Sequence, residues 1–341
     1  MSNEVRALVL TDTPLEAELL DRLRAVSPRL RVDPRVIKKG ETLEARDWEG
    51  VEVLYTTGRV PAPQHAPALR WVQGHFAGAD RVLREAPELF RRVTLTTSSG
   101  VHMTVMAEYA LMMMLAYDHH LPQLLRTQAT GEWPSNRGSL FSASELRGRT
   151  LGILGYGSIG REVARLARAF GMRLLAGKRN PAQHADAGWQ PEGKGDPRGE
   201  LPEAWFGLEQ LEAMLPECDY LVVVLPLTAE TRHVLNARTL ALLKPSAFIV
   251  NVGRGGLIDE AALSAALSGG RLGGAALDVF EQEPLPPESP LWTLPNVILT
   301  PHISGWTTRY DELAMQLFAD NLRRYLAGQP LYNVVDVQLG Y

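Results

Sequence analysis

The stretch Thr150–Asn180 contains the feature that most restricts how this chain can fold. A run of apolar residues leads into three glycines with the spacing G-x-G-x-x-G, at Gly155, Gly157 and Gly160. Apolar residues then recur at helical spacing up to Gly171, a residue suited to ending a helix. A strand, a glycine turn and a helix in this order are typical of a dinucleotide-binding fold. The alternative is a glycine-rich turn without a ligand, and the flanking strand and helix make it the weaker interpretation.

Each glycine has its own physical task in such a turn. Gly155 permits the tight turn, Gly157 lets the backbone approach a pyrophosphate, and Gly160 lets helix and strand pack closely. The N–H groups at the start of the helix, at Ser158 and Ile159, then face the phosphates. The sequence therefore predicts a dinucleotide cofactor at this turn.

The end of the next predicted strand departs from the common pattern. A dinucleotide site usually has an acid about 20 residues after the glycines, where it binds a ribose hydroxyl of NAD. This chain has Lys178 and Arg179 at that place. Basic side chains suit the extra phosphate of NADP, so NADP(H) is the favoured cofactor and NAD(H) the alternative. The competing interpretation is that both are solvated surface charges.

Both halves of the chain alternate short apolar strands with amphipathic helices, which predicts an α/β fold with parallel sheets. The predicted strands of the first half are VRALVL, VEVLYTT, LRWVQG and VTLTT. Those of the second half are TLGILG, RLLAG, YLVVVL, AFIVNV, GAALDV and VILTP, the six that a doubly wound sheet needs. A long predicted helix, TVMAEYALMMMLAYDHHLPQLLRTQ, joins the halves, and a last helix lies around DELAMQLFADNLRRYLAG.

One segment, residues 180–205, does not follow this alternation. It is rich in Pro and Gly and has neither strand nor helix periodicity, and a loop of this length inside a domain is uncommon. Because it leaves the second strand of the cofactor sheet, we expect it to fold over the adenosine half of the cofactor, with Lys194 or Arg198 near a phosphate. A solvated insertion that does not touch the cofactor is an equally good interpretation.

Composition limits the classes of protein that need to be considered. The chain has 341 residues, of which 45% are apolar and 22% charged, as in a globular enzyme of two domains. A net charge of -4 gives no reason to expect nucleic acid or an anionic membrane as a partner. The single cysteine, Cys218, excludes an internal disulfide framework and suits a reducing cytosol. We therefore expect a cytoplasmic protein without a nucleic-acid or membrane partner.

Three polar residues follow predicted strands of the second half, namely Arg254, Glu283 and His302. Such positions converge at the carboxyl edge of a parallel sheet. A guanidinium clamps the carboxylate of a 2-oxo acid, and an imidazolium donates a proton to the carbonyl oxygen as a hydride reaches the adjacent carbon. A carboxylate beside the imidazole favours the protonated ring and orients it. The trio fits hydride transfer to a 2-oxo acid, although each residue alone is also compatible with a structural task.

No histidine pair has the spacing of metal ligands. His119 and His120 are adjacent on a predicted helix and point about 100° apart, which is a poor arrangement for one metal. We expect no metal site.

Five ordered motifs of the chain resemble those of the D-2-hydroxyacid dehydrogenase family. They are LGILGYGSIGREVARLARAFGM, LPLTAETRHVLN, AFIVNVGRGGLIDEAAL, GAALDVFEQEPLP and NVILTPHISG, and LRWVQGHFAGADRVL and TTSSGVHMTVMAEYAL resemble its first domain. The resemblance implies two Rossmann-like or flavodoxin-like domains, with the cofactor domain inserted into the substrate domain. The expected substrate domain is 1–104 plus 307–341, and the expected dinucleotide-binding domain is 105–306.

The resemblance also implies what the site residues do. It makes Arg254 the substrate clamp and Glu283 the partner of the acid–base His302, and it places the backbone of Ala77 and Gly78 at the substrate carboxylate. Asp278 is expected near the nicotinamide carboxamide. The remaining expected cofactor contacts are Leu225, Pro226, Thr231, Val252, Gly253 and Gly305.

The implied activity is the interconversion of a small 2-oxo acid and its D-2-hydroxy acid, in an implied homodimer. Glutamate at Glu283 argues against the formate dehydrogenase branch, which the family pattern marks by glutamine at that place. A rival class is a dinucleotide-sensing module like the corepressor relatives of the family. The presence of Arg254, Glu283 and His302 together favours catalytic turnover, although the corepressor relatives also have this trio.

Overall fold

A computed structural model describes residues 4–38, 40–41 and 43–340. The chain divides into two compact units, the first formed by Met1–Val101, Ala187–Pro191 and Thr307–Tyr341 and the second by His102–Asp186 and Glu192–Trp306. The sequence-based division likewise has a discontinuous first part, but it places the boundary at residue 104 and assigns residues 187–191 to the second part.

The first unit contains a five-stranded parallel sheet. Its strands are β1 (Val5–Thr11), β2 (Leu30–Val36), β3 (Val51–Thr56), β4 (Trp71–Gly74) and β5 (Thr94–Thr96). They lie in the order β2-β1-β3-β4-β5, which is the flavodoxin-like order. The helices of this unit are α1 (Ala17–Arg24), α2 (Asp80–Glu85), α3 (Pro87–Phe90) and α11 (Tyr310–Leu326).

Strand β2 was not predicted from the sequence. Its segment, LRVDPRV, contains Pro34, which lacks the N–H that a central strand needs. The structure places β2 at the edge of the sheet, where only β1 pairs with it and one missing donor is tolerated.

The second unit contains a seven-stranded parallel sheet. Its strands are β6 (Thr150–Leu154), β7 (Arg173–Gly177), β8 (Ala204–Phe206), β9 (Tyr220–Val223), β10 (Phe248–Asn251), β11 (Gly274–Leu277) and β12 (Val297–Leu299). Their order is β12-β11-β10-β9-β6-β7-β8, the doubly wound arrangement with one additional strand. All six predicted strands are present, and β8 is the seventh.

Helices cover both faces of this second sheet. They are α4 (Met103–Asp118), α5 (Leu121–Thr130), α6 (Arg137–Leu140), α7 (Ser158–Ala169), α8 (Leu211–Met214), α9 (Ala237–Leu240) and α10 (Glu260–Ser268). Helices α4 and α7 pack on one face, and α8, α9 and α10 pack on the other. Each face has its own apolar core because alternate strand residues point to opposite sides. The prediction of an α/β fold with two parallel sheets is confirmed.

The long helix predicted after residue 104 is two helices. Helix α4 ends at Asp118 and α5 begins at Leu121, and His120 between them has φ of 53°. A left-handed residue cannot continue an α-helix, so the prediction of one continuous helix is wrong at this point. Among the described residues, no helix combines the length and apolar character needed to cross a membrane.

Candidate active site

The glycine turn joins β6 to α7. At two of its three glycine positions, a residue with a side chain would not fit. Gly155 has φ of 106°, and a Cβ added there would lie 2.6 Å from the carbonyl oxygen of Val224. A Cβ at Gly160 would lie 2.1 Å from the carbonyl oxygen of Gly155, so the first turn of the helix packs directly on the turn. These contacts account for the close packing that the spacing predicts.

Gly157 borders open space at the start of the 12-residue helix α7. A Cβ added there would meet no described atom within 4 Å, and Gly157 is the N-cap residue of the helix. The first N–H groups of a helix have no intrahelical partners and attract anions. The turn therefore fits the pyrophosphate of a nicotinamide dinucleotide, whose backbone contacts would come from residues 157–160.

Lys178 directly follows β7 and is half-buried. Its Nζ atom donates to the carbonyl oxygen of Gln183 at 2.7 Å and lies 5.8 Å from the centre of the Trp205 ring. Burial lowers the pKa of Lys178, the charge of Arg161 lowers it further, and Asp186 opposes this. Lys178 is therefore more than a solvated surface charge, and an ammonium has two donors besides the one that it uses here.

Arg179 lies next to Lys178 with its guanidinium on the protein surface. Its Nη2 atom lies 2.9 Å from Oε2 of Glu230, and both side chains are exposed. An ion pair of this kind is worth little in water, about 0–1 kcal/mol. This ion pair with Glu230 therefore does not prevent the guanidinium from contacting an anion.

The Pro/Gly-rich segment is held by side chains of the glycine-turn region. Arg161 of α7 is almost completely buried, donates to the carbonyl oxygens of His184 and Asp196, and lies 3.3 Å from a carboxylate oxygen of Asp186. Tyr156, between the first two glycines, donates to Asp196 at 2.8 Å. His184, Asp186 and Asp196 of the segment are thus anchored at the glycine turn and its helix, whereas residues 187–191 belong to the first unit.

A second buried side chain of α7 anchors the same segment. Glu162 accepts a hydrogen bond from the backbone N–H of Gly195 at 2.7 Å and two from Arg165. Lys194 lies 4.0 Å from Glu162, and Arg198 forms an ion pair with its neighbour Glu200. The expectation that Lys194 or Arg198 meets a cofactor phosphate stays a prediction.

His302 and Glu283 form the central pair of the site. Nδ1 of His302 lies 2.8 Å from Oε2 of Glu283, whose Oε1 atom accepts the backbone N–H of Phe280 at 3.0 Å. Because a carboxylate accepts hydrogen bonds, Nδ1 of His302 carries the proton of this contact. Nε2 is then the nitrogen available to a substrate. His302 has φ of 55°, a strained conformation for a non-glycine residue that is found disproportionately at functional sites.

Arg254 faces the same cleft as this pair. The cleft has a volume of about 390 Å³, within the size range of small-ligand sites, and its walls include Leu227, Phe280 and the residues Arg254, Glu283 and His302. Nη1 of Arg254 donates to the carbonyl oxygen of Gly253 at 2.8 Å, which restrains the guanidinium. The three residues singled out from the sequence therefore meet in one cleft at the carboxyl edge of the second sheet.

Asp278 supports the loop that carries His302. Its carboxylate is completely buried and accepts hydrogen bonds from Oγ1 of Thr300 at 2.6 Å and from the backbone N–H groups of Ile303 and Ser304 at 2.9 Å. Burial raises the pKa of Tyr109 to about 12, so its phenol stays protonated and donates to Thr300. The family resemblance implies a position near the nicotinamide carboxamide for Asp278, and no sequence pattern predicts this chain of hydrogen bonds.

We expect Asp278→Asn to lower kcat about tenfold, because the amide NH2 replaces an acceptor and faces donors of the His302 loop. The amide also costs stability, on the order of 1–3 kcal/mol, measurable by denaturant unfolding. Steady-state kinetics separates the two tasks of Asp278. A lower kcat with an unchanged cofactor KM supports the positioning task, whereas a raised cofactor KM alone contradicts it and favours contact with the carboxamide.

The other predicted cofactor residues lie on loops after strands of the second sheet. Thr231 donates to the carbonyl oxygen of Pro226 at 2.7 Å and so closes the loop after β9, which begins near Leu225. Gly253 follows Val252 after β10, and a Cβ at Gly253 would lie 2.7 Å from Leu257. These loops share the edge of the sheet at which the glycine turn lies.

His102 is a site residue that sequence analysis missed. Its Nδ1 atom donates to the carbonyl oxygen of Gly305 at 2.8 Å, in the loop that follows His302. Burial lowers the pKa of His102, and the charge of Arg254 lowers it further, so the ring is neutral at neutral pH. Its position just before a long apolar helix was the one signal available in the sequence.

Ala77 and Gly78 lie in the first unit, between β4 and α2. Their backbone N–H groups have no hydrogen-bond partner among the described residues, and Ala77 is exposed. Neighbouring backbone is fixed, since Ser98 N–H donates to the carbonyl oxygen of Phe76 at 2.8 Å. Two unpaired donors suit an anion, and their assignment to the substrate carboxylate stays a prediction.

Within the described residues, no three histidine, cysteine or acidic side chains form a group suited to a metal ion. Cys218 is buried, and burial raises the pKa of its thiol to about 12. A thiol of that pKa is protonated at neutral pH and is a poor nucleophile.

A doubly wound sheet with a phosphate-binding glycine turn and an Arg–Glu–His cleft at its carboxyl edge defines a dinucleotide-dependent oxidoreductase of small oxo and hydroxy acids. Residues 111–304 match the family model of the D-isomer specific 2-hydroxyacid dehydrogenase NAD binding domain. The chain belongs to the D-isomer specific 2-hydroxyacid dehydrogenase family.

Among curated proteins, the chain is similar to glyoxylate/hydroxypyruvate reductase B of Pectobacterium atrosepticum, with 38% identity over 81% of this chain and 82% of the relative. Among solved structures, it is similar to a D-isomer specific 2-hydroxyacid dehydrogenase of Xanthobacter autotrophicus in complex with NADPH and MES, with 31% identity, a TM-score of 0.78 and coverage of 98% and 99%. An NADPH-dependent glyoxylate/hydroxypyruvate reductase of Sinorhizobium meliloti in complex with NADP and sulfate shares 29% identity, with a TM-score of 0.75 and coverage of 99% and 100%.

These findings confirm the predicted family and the predicted class, an NAD(P)-dependent oxidoreductase that acts on 2-oxo or 2-hydroxy acids. The curated relative and one of the two solved structures are named reductases, and the other solved structure is named a 2-hydroxyacid dehydrogenase. The alternative of a corepressor-type sensing module finds no support in them.

Proposed function

We propose that this protein is an NADPH-preferring reductase of small 2-oxo acids such as glyoxylate and hydroxypyruvate. The observation that carries the proposal is the 2.8 Å contact between His302 and Glu283 in the cleft that Arg254 also lines. The names of the relatives, glyoxylate/hydroxypyruvate reductases, support the choice of substrates.

The chemistry of the three side chains follows from their charges. A bound nicotinamide dinucleotide supplies the hydride for the carbonyl carbon. Arg254 binds the substrate carboxylate through its guanidinium fork, which fixes the orientation of the carbonyl group. His302 donates the proton on Nε2 to the carbonyl oxygen, and Glu283 holds the ring by Nδ1.

The choice of NADPH over NADH rests on the loop after β7. Lys178 and Arg179 place two cations at the end of the second strand of the Rossmann sheet, where NAD-dependent members of this fold class have an acid. Arg161 and Lys178 are close enough for their charges to interact, which adds positive potential that Asp186 offsets in part. The NADP and NADPH complexes of the two structural relatives support the same choice.

We expect wild-type kcat/KM to be at least about tenfold higher with NADPH than with NADH. One unit-charge pair at about 4 Å is worth on the order of 4 kcal/mol at an effective dielectric of 20, and a third of this is a factor of about ten. Lys178→Asp should remove the preference by raising the KM for NADPH. The control is Arg271→Asp, a charge reversal on an exposed loop of the same unit. Equal use of both cofactors by the wild type at moderate salt contradicts the prediction.

A steady-state assay with glyoxylate, hydroxypyruvate and bulkier 2-oxo acids tests the function itself. Turnover of at least one of them with NADPH is the expected result, and dinucleotide binding without turnover of any 2-oxo acid would overturn the proposal.

Assembly and location belong to the same proposal. A homodimer is supported by apolar side chains exposed on α4 and α5, among them Met112, Leu121 and Leu125, which a second copy would cover. Light scattering in solution measures this assembly state. A cytoplasmic location suits a protein with one buried cysteine.

A further inference from the structure

The cleft that contains the Arg–Glu–His group has a second arginine in its wall. Arg232 lines the same volume of about 390 Å³ as Arg254 and His302, and its side chain is exposed to it. Over the part of the chain that the structure describes, the Arg232 guanidinium forms no hydrogen bond and no ion pair. A guanidinium has five N–H donors in a planar fork, so it is well suited to a planar anion.

The acids of the cleft are already paired with other groups. Glu281 bonds Nε2 of His233, and Glu283 bonds Nδ1 of His302. Both carboxylates of the cleft wall thus have an imidazole partner. Among the described residues neither carboxylate forms an ion pair with Arg232, so its guanidinium keeps N–H donors for an anion.

The backbone around Arg232 is fixed on both sides. The N–H of Arg232 donates to the carbonyl oxygen of Thr228 at 3.0 Å, and the N–H of His233 donates to the carbonyl oxygen of Gly256 at 2.9 Å. Leu235 and Ile258 then form a parallel bridge. The arginine is thus presented from a rigid loop that is hydrogen-bonded to the segment following Arg254.

The guanidinium itself lies beside that segment. A Cβ added at Gly256 would lie 3.7 Å from the Cζ atom of Arg232, and Gly256 follows Arg254 by two residues. The same added Cβ would lie 3.3 Å from Cδ2 of Leu227, whose side chain gives this part of the cleft an apolar floor. A short carbon chain lying on this floor is suited to carrying a second anionic group toward Arg232 while its first carboxylate is held at Arg254.

We propose that Arg232 is a specificity-determining residue that binds the distal carboxylate of a 2-oxo diacid. The inference rests on the proposed function, because Arg254 must hold the carboxylate next to the reacting carbonyl. The substrate class is then a 2-oxo acid of four or five carbons with a carboxylate at its far end, in addition to the smallest 2-oxo acids. The distal contact lies away from the reacting atoms, so it acts through substrate binding and is expected in KM.

The test compares acids that differ only at the far end. Oxaloacetate is paired with 2-oxobutanoate and 2-oxoglutarate with 2-oxopentanoate, each pair having the same chain length, and kcat/KM is measured with saturating NADPH. The variants are Arg232→Gln, which removes the charge, and Arg232→Lys, which keeps the charge without the fork. Arg238→Gln is the control, because Arg238 is an exposed arginine of the same unit that pairs with Glu212 outside the cleft.

For the wild type we expect kcat/KM to be higher for at least one diacid than for its partner without the distal carboxylate. Arg232→Gln should lower this ratio at least tenfold, mainly through the KM of the diacid, with Arg232→Lys intermediate and Arg238→Gln unchanged. Thermal unfolding of each variant checks that the fold is intact.

Three results would overturn the inference. The inference fails if the wild-type kcat/KM is lower for each diacid than for its partner without the distal carboxylate. It also fails if Arg232→Gln leaves the kcat/KM ratio of diacid to partner unchanged. A raised KM for NADPH with every oxo acid would place Arg232 at a cofactor phosphate instead. Glyoxylate turnover by the wild type and by Arg232→Gln separates failure of this inference from failure of the proposed function. The proposed function predicts turnover of glyoxylate, whatever the kcat/KM ratio of diacid to partner.

Discussion

His302→Ala should lower kcat for reduction of a 2-oxo acid by about 10²–10⁴-fold, because it removes the general acid that protonates the carbonyl oxygen. The ring lies on a loop with an exposed face and contacts Glu283 at 2.8 Å, so the fold should tolerate the change. Removing the acid affects the chemical step, and the KM for NADPH should stay close to the wild-type value. Steady-state and single-turnover kinetics measure both quantities.

The pH dependence of the wild type adds a second readout for His302. Reduction takes a proton from His302 and oxidation of the hydroxy acid returns one to it, so reduction should be favoured at lower pH and oxidation at higher pH. His302→Ala should abolish this pH dependence. His65→Ala, at an exposed histidine of the first unit, is the matched control. A His302→Ala enzyme with near wild-type kcat would remove His302 from the mechanism.

Arg254→Lys should lower kcat/KM for a 2-oxo acid by about 10²-fold. A guanidinium binds a carboxylate through two parallel hydrogen bonds, and a lysine ammonium supplies a point charge without that geometry. Hydrogen bonds to charged groups contribute about 1.5–3 kcal/mol, or a factor of roughly 10–150. The carboxylate also orients the carbonyl group toward His302, so both a raised KM and a lowered kcat are expected.

A direct binding measurement distinguishes loss of the clamp from general damage. The Kd of NADPH for Arg254→Lys, measured by fluorescence titration, should remain within about threefold of the wild type, because the expected phosphate contacts lie at the glycine turn. Arg84→Lys, on an exposed surface of the first unit, serves as the control substitution. Unchanged kcat/KM in Arg254→Lys would place the clamp at another residue.

Sequence patterns were sufficient for the features that repeat or follow one another along the chain. The six strands of the second sheet and the glycine turn were predicted from apolar runs and glycine spacing, since both reflect contacts between near neighbours in sequence. The convergence of Arg254, Glu283 and His302 also followed from local information, because parallel strands end at one edge. The edge strand β2 was missed because Pro34 conceals its strand character.

Other features depend on contacts between residues that are far apart in the sequence. Asp278 supports the His302 loop through residues more than 20 positions away, and nothing near Asp278 in the sequence indicates its three donors. Arg161 and Asp196 are 35 positions apart, and their contact anchors part of a segment without periodicity to α7. A sequence pattern carries no information about which distant polar groups meet.

The sequence by itself determined the family, the two parallel sheets and the residue types of the cleft, because these depend on periodicity, glycine spacing and ordered motifs. Tertiary structure alone decided which polar groups are buried together and which remain available to a ligand. Arg232 illustrates the difference. In the sequence it is one of many basic residues, whereas in the fold it lies beside Gly256 in the cleft of Arg254, because the backbone of residues 233–235 pairs with that of residues 256–259. Burial and pairing set the energy of a charge, and both are properties of the folded chain.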